Sequence, residues 1–379
     1  MTRALTLGET ARTVAVEFAA TAGLYDESGA FPHENFRKLQ EYGLLALTAP
    51  VAYSGRGAGL ADAATVIGEI AKGEPSTALI LIMQYINLAT LPGGRWPEHL
   101  VRRVLADAAK NGALINALRV EPELGTPIRG GLPATTARRT EEGWSLSGRK
   151  IYLTGIAGLT WCIVWGRTDE ESPRVGAFLV PANAEGVRIE ETWNPLGMRA
   201  TASHDAIFQD VRIPFDHAVD IRPPEQWKDR EAGQAVWMAV LLGSLYDGVA
   251  RAARDWLVQF LHDRKPANLG AALATVPRIQ QALGEIEELL TANARLLRSA
   301  ARDADTGEAP SSPESNLLKL TVTENAISAV EKALRLTGNH GISRNNPLER
   351  HYRNVLCGRI HSPQEDIVRI AAGRAALGI

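Results

Sequence analysis

The sequence predicts an α+β, multidomain chain with an N-terminal helical domain, a middle β domain and a C-terminal four-helix bundle. Three observations predict it. Apolar residues recur at spacings of three and four up to about residue 109. From about 113 to 220 the pattern changes to short runs rich in β-branched and aromatic residues, bounded by turn formers. From Trp227 onward helical spacing returns in stretches near 25 residues long, separated by short connections, as an antiparallel bundle requires. The expected domains are therefore 1–112, 113–220 and 221–379.

Each element has its own signal. Ala11, Val14, Phe18 and Ala22 mark one helical face, and Phe36, Leu39, Gly43 and Leu44 a second, opened by Pro32. A third helix over 60–71 follows the turn Ser54-Gly55-Arg56-Gly57. Ser76 stands where an N-cap would start an apolar helix over 77–91. Strands are expected at 134–140 and 144–147, flanking Glu141-Glu142-Gly143, and at 161–166, 175–180 and 206–213. Long helices follow at 236–263 and 277–303. A third opens at Pro313 and stops at Gly338, and the last covers about 363–377.

Composition narrows the function. A net charge of −2 and a pI of about 6.5 leave no basic field for nucleic acid or an anionic membrane. The run 77–91 carries Gln84 and Asn87 and falls short of the ~20 apolar residues of a membrane span, so it reads as a core helix. Cys162 and Cys357 read as two buried free thiols, and no Cys/His spacing suggests a metal. No signal peptide is visible at the N-terminus, and a reduced cytoplasm is the expected compartment.

Four ordered motifs carry a family resemblance. Asn194-Pro195-Leu196-Gly197-Met198-Arg199-Ala200-Thr201-Ala202-Ser203, with Phe208-Gln209-Asp210-Val211-Arg212-Ile213-Pro214 behind it, resembles a signature of the acyl-CoA dehydrogenases. Gly148-Arg149-Lys150-Ile151-Tyr152-Leu153-Thr154 is similar to the family's flavin-facing strand. Leu336-Thr337-Gly338-Asn339-His340-Gly341, then Pro347 and Arg353, resembles its Gly-rich turn and the Arg that follows. The resemblance runs from about residue 11 to residue 375 and implies the acyl-CoA dehydrogenase fold.

It also implies a flavin site. Tyr152 would lie against the isoalloxazine, with the Thr154 hydroxyl near N5. Val120-Glu121-Pro122-Glu123-Leu124-Gly125-Thr126 half keeps the family's phosphate loop, so Gly125 and Thr126 would meet the pyrophosphate. Arg264 matches an Arg that reaches the flavin nucleotide of a neighbouring subunit. Arg335 stands where the family has Gln, and Gly338 and Gln364 complete the expected cofactor contacts. FAD is favoured, with FMN or a diffusible reduced flavin as alternatives. A homotetramer or homodimer is expected.

The family's catalytic carboxylate is missing. Its usual turn reads His361-Ser362-Pro363-Gln364 here, and its alternative helical position is Met238. His361 resembles the turn histidine of flavin monooxygenases built on this fold, and imidazole titrates in the range that proton exchange at neutral pH requires. Three readings follow: a two-component monooxygenase fed by a flavin reductase, with His361 as acid–base; an acyl-CoA dehydrogenase with a relocated carboxylate (Glu365, Asp366 or Asp247), passing electrons to an electron-transfer flavoprotein; and a silent flavin-binding scaffold. Tyr152, Thr154 and Arg264 argue against the scaffold. Gln84 and Tyr85 are read as either pocket or core, and His204 as a surface residue.

Overall fold

A computed structural model describes residues 5–124, 131–227 and 232–379. Five helices form the N-terminal part: α1 (Leu7–Ser28), α2 (His33–Glu41), α3 (Leu60–Gly73), α4 (Pro75–Thr90) and α5 (Glu98–Asn111). Thr6 and Glu9 close α1 with a capping box, and Gly29 ends it in the left-handed conformation. The cap of α4 corrects the sequence reading. Glu74, not Ser76, is its N-cap, and the carboxylate accepts from the amides of Ser76 and Thr77 and from the Thr77 hydroxyl. α4 and the turn after it, Pro75–Gly93, are long and apolar enough to cross a membrane by composition, yet 67% of that stretch is buried inside the protein, as a core helix requires.

The middle part is an eight-stranded sheet. Its strands are β1 (Leu114–Leu118), β2 (Thr136–Arg139), β3 (Gly143–Lys150), β4 (Leu159–Thr168), β5 (Val175–Pro181), β6 (Val187–Glu190), β7 (Asp205–Pro214) and β8 (Asp220–Arg222). They run in the order β6-β7-β3-β2-β4-β5-β8, with β1 paired in parallel to β4. The period-two alternation of β4 and β5 serves two layers. Cys162, Val164, Phe178 and Val180 face the main core, whereas Trp161, Ile163, Ala177 and Leu179 pack with Val101, Val104 and Leu105 of α5.

Three long helices dominate the C-terminal part: α6 (Ala232–Asp263), α7 (Pro277–Asp305) and α8 (Ser312–Thr337). The short α9 (Asn339–Ile342) and α10 (Leu348–Leu356) follow, and α11 (Glu365–Leu377) leans on α8. α11 buries only Val368, so it is the least integrated member of the bundle. Tyr246, Val249, Ala253 and Leu257 of α6 are fully buried among α3, α4, α7, α8 and α10. The bundle is tied to the N-terminal helices by Asp305, whose carboxylate accepts from the amides of Leu60 (2.6 Å) and Ala61 (2.9 Å). Those amides are otherwise unpaired at the start of α3, where the helix dipole favours an anion. A Cβ on Gly59 would come within 2.6 Å of that carboxylate.

The motif from Asn194 to Ser203 forms a joint between sheet and bundle. The Met198 amide donates to Asn354 Oδ1 (2.7 Å), and Arg353 donates to the Leu196 carbonyl while pairing with Asp26 and Glu349. A Cβ on Gly197 would strike the Arg353 carbonyl at 2.3 Å, so only glycine permits this approach. Cys162 is buried, but Cys357, which opens the short turn after α10, is only partly so.

Candidate active site

Tyr152 and Thr154 do not lie on a strand. β3 ends at Lys150, and Tyr152 takes a positive φ of 57° in the turn that follows. Backbone bonds to the joint hold the turn: the Leu153 amide donates to the His204 carbonyl (3.1 Å) and the Gly155 amide to that of Thr201 (2.8 Å). Asn116 Nδ2 donates to the Thr154 carbonyl. The Tyr152 ring is 62% exposed, with one edge on Trp193 at 6.2 Å. Among the described residues the Thr154 hydroxyl has no hydrogen-bond partner. An open aromatic face beside a free hydroxyl, on a turn braced by backbone bonds, fits a flat redox-active ring. His204 is not a plain surface residue, since its Nδ1 accepts the Trp193 amide.

The loop expected to meet phosphate starts beside this turn, where the Ile151 amide donates to the Val120 carbonyl (3.0 Å). Gly125 and Thr126 lie outside the described residues. Glu121 is a structural anchor: its carboxylate accepts from the Ala134 and Thr135 amides, the Thr135 hydroxyl and the buried Lys150 ammonium (2.6 Å). Burial opposes the charge, but Lys150 and these donors hold the Glu121 carboxyl below its ordinary range.

His361 sits where α10 and its terminal turn lead toward α11. Two residues hold it. The fully buried Tyr246 hydroxyl lies 2.6 Å from Nε2, and the Lys319 ammonium donates to the carbonyls of His361 and Pro363. Burial, then the Lys319 charge, push the imidazole down to about 3, so His361 is neutral at physiological pH. Burial likewise lowers Lys319 to about 8. Neither partner had a local signal in the sequence. Tyr246 and Lys319 lie 115 and 42 positions from His361, on separate helices.

The relocated carboxylates do not converge on this group. Asp247 follows Tyr246, but the ~100° turn per helical residue aims it at Arg251 (2.6 Å) and Asn293 of α7 (3.2 Å). Glu365 pairs with Arg369, and Asp366 is exposed. Among the described residues no carboxylate hydrogen-bonds Tyr246 or His361. Gln84 and Tyr85 are core groups: Gln84 bridges the Ile115 amide and the Ala113 carbonyl, and Tyr85 donates to the Leu44 carbonyl.

Arg264, Arg335 and Gly338 are brought together elsewhere. α6 and α8 end side by side, with the Phe260 and His340 rings 5.2 Å apart, and all three residues are exposed there. Arg264 follows Tyr246 by 18 positions, roughly 27 Å of helix. Gln364 stays near His361, at the N-cap of α11.

Comparison with known proteins places this geometry. Models of the acyl-CoA dehydrogenase N-terminal, middle and C-terminal domains match residues 3–92, 120–211 and 240–365 in turn. The chain belongs to the acyl-CoA dehydrogenase family. It is 35% identical over 358 residues to a putative acyl-CoA dehydrogenase of Bacillus subtilis, YdbM, covering 94% of this chain and 92% of that one. It is 30% identical over 379 residues to the L-evernosamine nitrososynthase of a Micromonospora species, covering 94% and 86%. Among solved structures it resembles KijD3 in complex with FMN and dTDP-3-amino-2,3,6-trideoxy-4-keto-3-methyl-D-glucose. The TM-score is 0.85 at 27% identity, covering 100% of this chain and 95% of that one. Members of this family are flavin-dependent oxidoreductases, and so is this chain.

Proposed function

We propose that this protein is a two-component flavin-dependent monooxygenase acting on a small organic substrate, with His361 as its catalytic residue. The observation that carries this reading is the composition of the turn that usually holds a carboxylate. It presents a neutral imidazole held by Tyr246 and Lys319, with no carboxylate hydrogen-bonded to it among the described residues. Removing the weakly acidic α-proton of a thioester calls for a positioned carboxylate base, whereas a neutral imidazole offers an N–H hydrogen bond to an oxygen centre. When bound in reduced form, the flavin supplies two electrons to O₂, so that one oxygen atom enters the substrate and the other leaves as water.

The roles of this chain's residues follow. Tyr152 packs on the ring face, Thr154 offers its free hydroxyl to the ring edge, and Gln364, Gly125 and Thr126 hold the remainder of the cofactor. Arg264, Arg335 and Gly338 contact the flavin of a neighbouring subunit in a homodimer or homotetramer. Their distance from Tyr246 along the bundle supports that assignment, because one cofactor contacting both groups in the same chain would have to span it. FAD is the favoured cofactor, with FMN an alternative; a flavin reductase would supply it reduced. The names of the nitrososynthase relative and of the KijD3 complex make an amine-bearing small molecule the first substrate class to try.

The likeness to YdbM favours the second reading, acyl-CoA dehydrogenation. Anaerobic mixing of the oxidised, flavin-loaded protein with short, medium and branched acyl-CoA thioesters separates the two. The flavin absorbance should persist with every thioester, and the reduced protein should turn over substrate only when O₂ is admitted. Bleaching by a thioester at a catalytic rate would overturn the monooxygenase reading.

A further inference from the structure

A buried hydroxyl decides which nitrogen of His361 carries the proton. The Tyr246 side chain is fully buried, and its oxygen has one hydrogen-bonding neighbour among the described residues, His361 Nε2 at 2.6 Å. A buried O–H requires an acceptor. If Nε2 carried the proton and donated to Tyr246, the tyrosine's own hydrogen would have none. The satisfied arrangement has Tyr246 donating to the Nε2 lone pair, which leaves the proton of the neutral ring on Nδ1. Nδ1 has no partner among the described residues and is not among the buried unsatisfied atoms, so it reaches the surface of the subunit.

The surroundings fix both ends of this bond. The Tyr246 ring is pressed by Gly358, where an added Cβ would stand 3.2 Å from Cδ2 and 2.5 Å from Thr323 Cγ2. On the other side, Lys319 is 5% exposed, has no carboxylate partner among the described residues, and donates to the carbonyls of His361 and Pro363. An unpaired buried ammonium is costly. Spending it on these two carbonyls holds the main chain of the turn while Tyr246 holds the ring.

We propose that Tyr246 is a positioning residue that locks His361 in its Nδ1–H tautomer, so that the turn presents an N–H donor, and not a lone pair, to the reacting centre. The inference rests on the proposed function only for its catalytic consequence; the tautomer itself follows from the hydrogen bond. In that form His361 stabilises a developing anionic oxygen by donating an Nδ1–H hydrogen bond, and the proton stays on the ring, because losing it would leave an imidazolate.

Nitrogen-15 NMR of the histidine-labelled protein, with the His361 signals assigned by their loss in His361→Ala, reads the tautomer without any flavin. The wild type should show a protonated Nδ1 and an unprotonated Nε2. A protonated Nε2, or an imidazolium at pH 7, would overturn the proposal. Tyr246→Phe should release the lock, giving mixed tautomer signals. Its turnover should fall by less than the ~10² minimum expected for removing such a hydrogen-bond donor outright, with flavin affinity within about twofold of wild type. Unchanged His361 signals in Tyr246→Phe would also overturn it. If the wild type shows Nδ1–H but His361→Ala keeps full turnover, the monooxygenase role of His361 falls while the tautomer assignment stands.

Discussion

The middle of the bundle and its far end are built from the same helices to opposite purposes. Around Tyr246 and Lys319, α6 and α8 are packed inside the bundle, and these two polar groups hold the His361 turn. Roughly 27 Å along α6, the same two helices end in the exposed Arg264, Arg335 and Gly338. A buried polar group needs a partner in its own chain, because leaving one unmade costs about 1–3 kcal/mol. An exposed arginine carries no such demand and is free to meet a second molecule. That difference is what the proposed function builds on, with the chemistry internal to one subunit and cofactor retention shared with another.

The sharpest way to break this comparison is to remove one group from each region. His361→Ala should lower turnover by about 10²-fold or more while leaving flavin affinity nearly unchanged. Arg264→Ala should do the reverse. Loss of one charge-assisted hydrogen bond, about 1.5–3 kcal/mol, corresponds to roughly 10–10²-fold weaker flavin binding, with turnover restored at saturating flavin. Steady-state kinetics beside flavin titration checks both, and a His361→Ala variant that instead loses its flavin would erase the distinction.

A smaller effect sharpens the packing side. His351 of α10 is 4% exposed, its Nδ1 has no partner among the described residues, and burial, then Arg350, push it down to about 3 from its ordinary 6.5. Between those values the unfolded chain binds a proton that the folded chain refuses, so stability falls as pH drops from 6.5 toward 3. Each pH unit in that window costs up to ~1.4 kcal/mol, or roughly 2 kcal/mol by pH 5. His361 titrates with the same sign, but its partial exposure reduces the effect. Urea denaturation from pH 7 to 5 should show a shallower loss in His351→Gln than in the wild type; parallel curves would refute the buried neutral histidine.

Much of the architecture was legible in the sequence. α6, α7 and α8 announce themselves by long helical periodicity, with Pro277 and Pro313 near their starts and Gly338 at an end. β1, β6 and β8, of three to five residues each, were not; β2 is as short, but the turn Glu141-Glu142-Gly143 beside it marks its place. The α4 cap was misplaced because its anchor is a glutamate, outside the usual Ser, Thr, Asp and Asn. The flavin-facing motif named Tyr152 and Thr154 but placed them on a strand, since nothing local announces a positive φ at a tyrosine. His361 was visible as a substitution in a turn. Its partners Tyr246 and Lys319 are joined to it only by tertiary packing, and so are Glu121 and Lys150 to each other.

The proposed pairing of His361 of one subunit with Arg264 of another is tested most directly by mixing two damaged chains. His361→Ala and Arg264→Ala subunits are unfolded and refolded together, then assayed at a flavin concentration that leaves Arg264→Ala alone empty. Each mixed pair contains one site with both residues intact and one with neither. Random pairing should therefore restore about a quarter of wild-type turnover. Activity no greater than the sum of the two variants assayed separately would contradict the account and return both residues to a single chain's site.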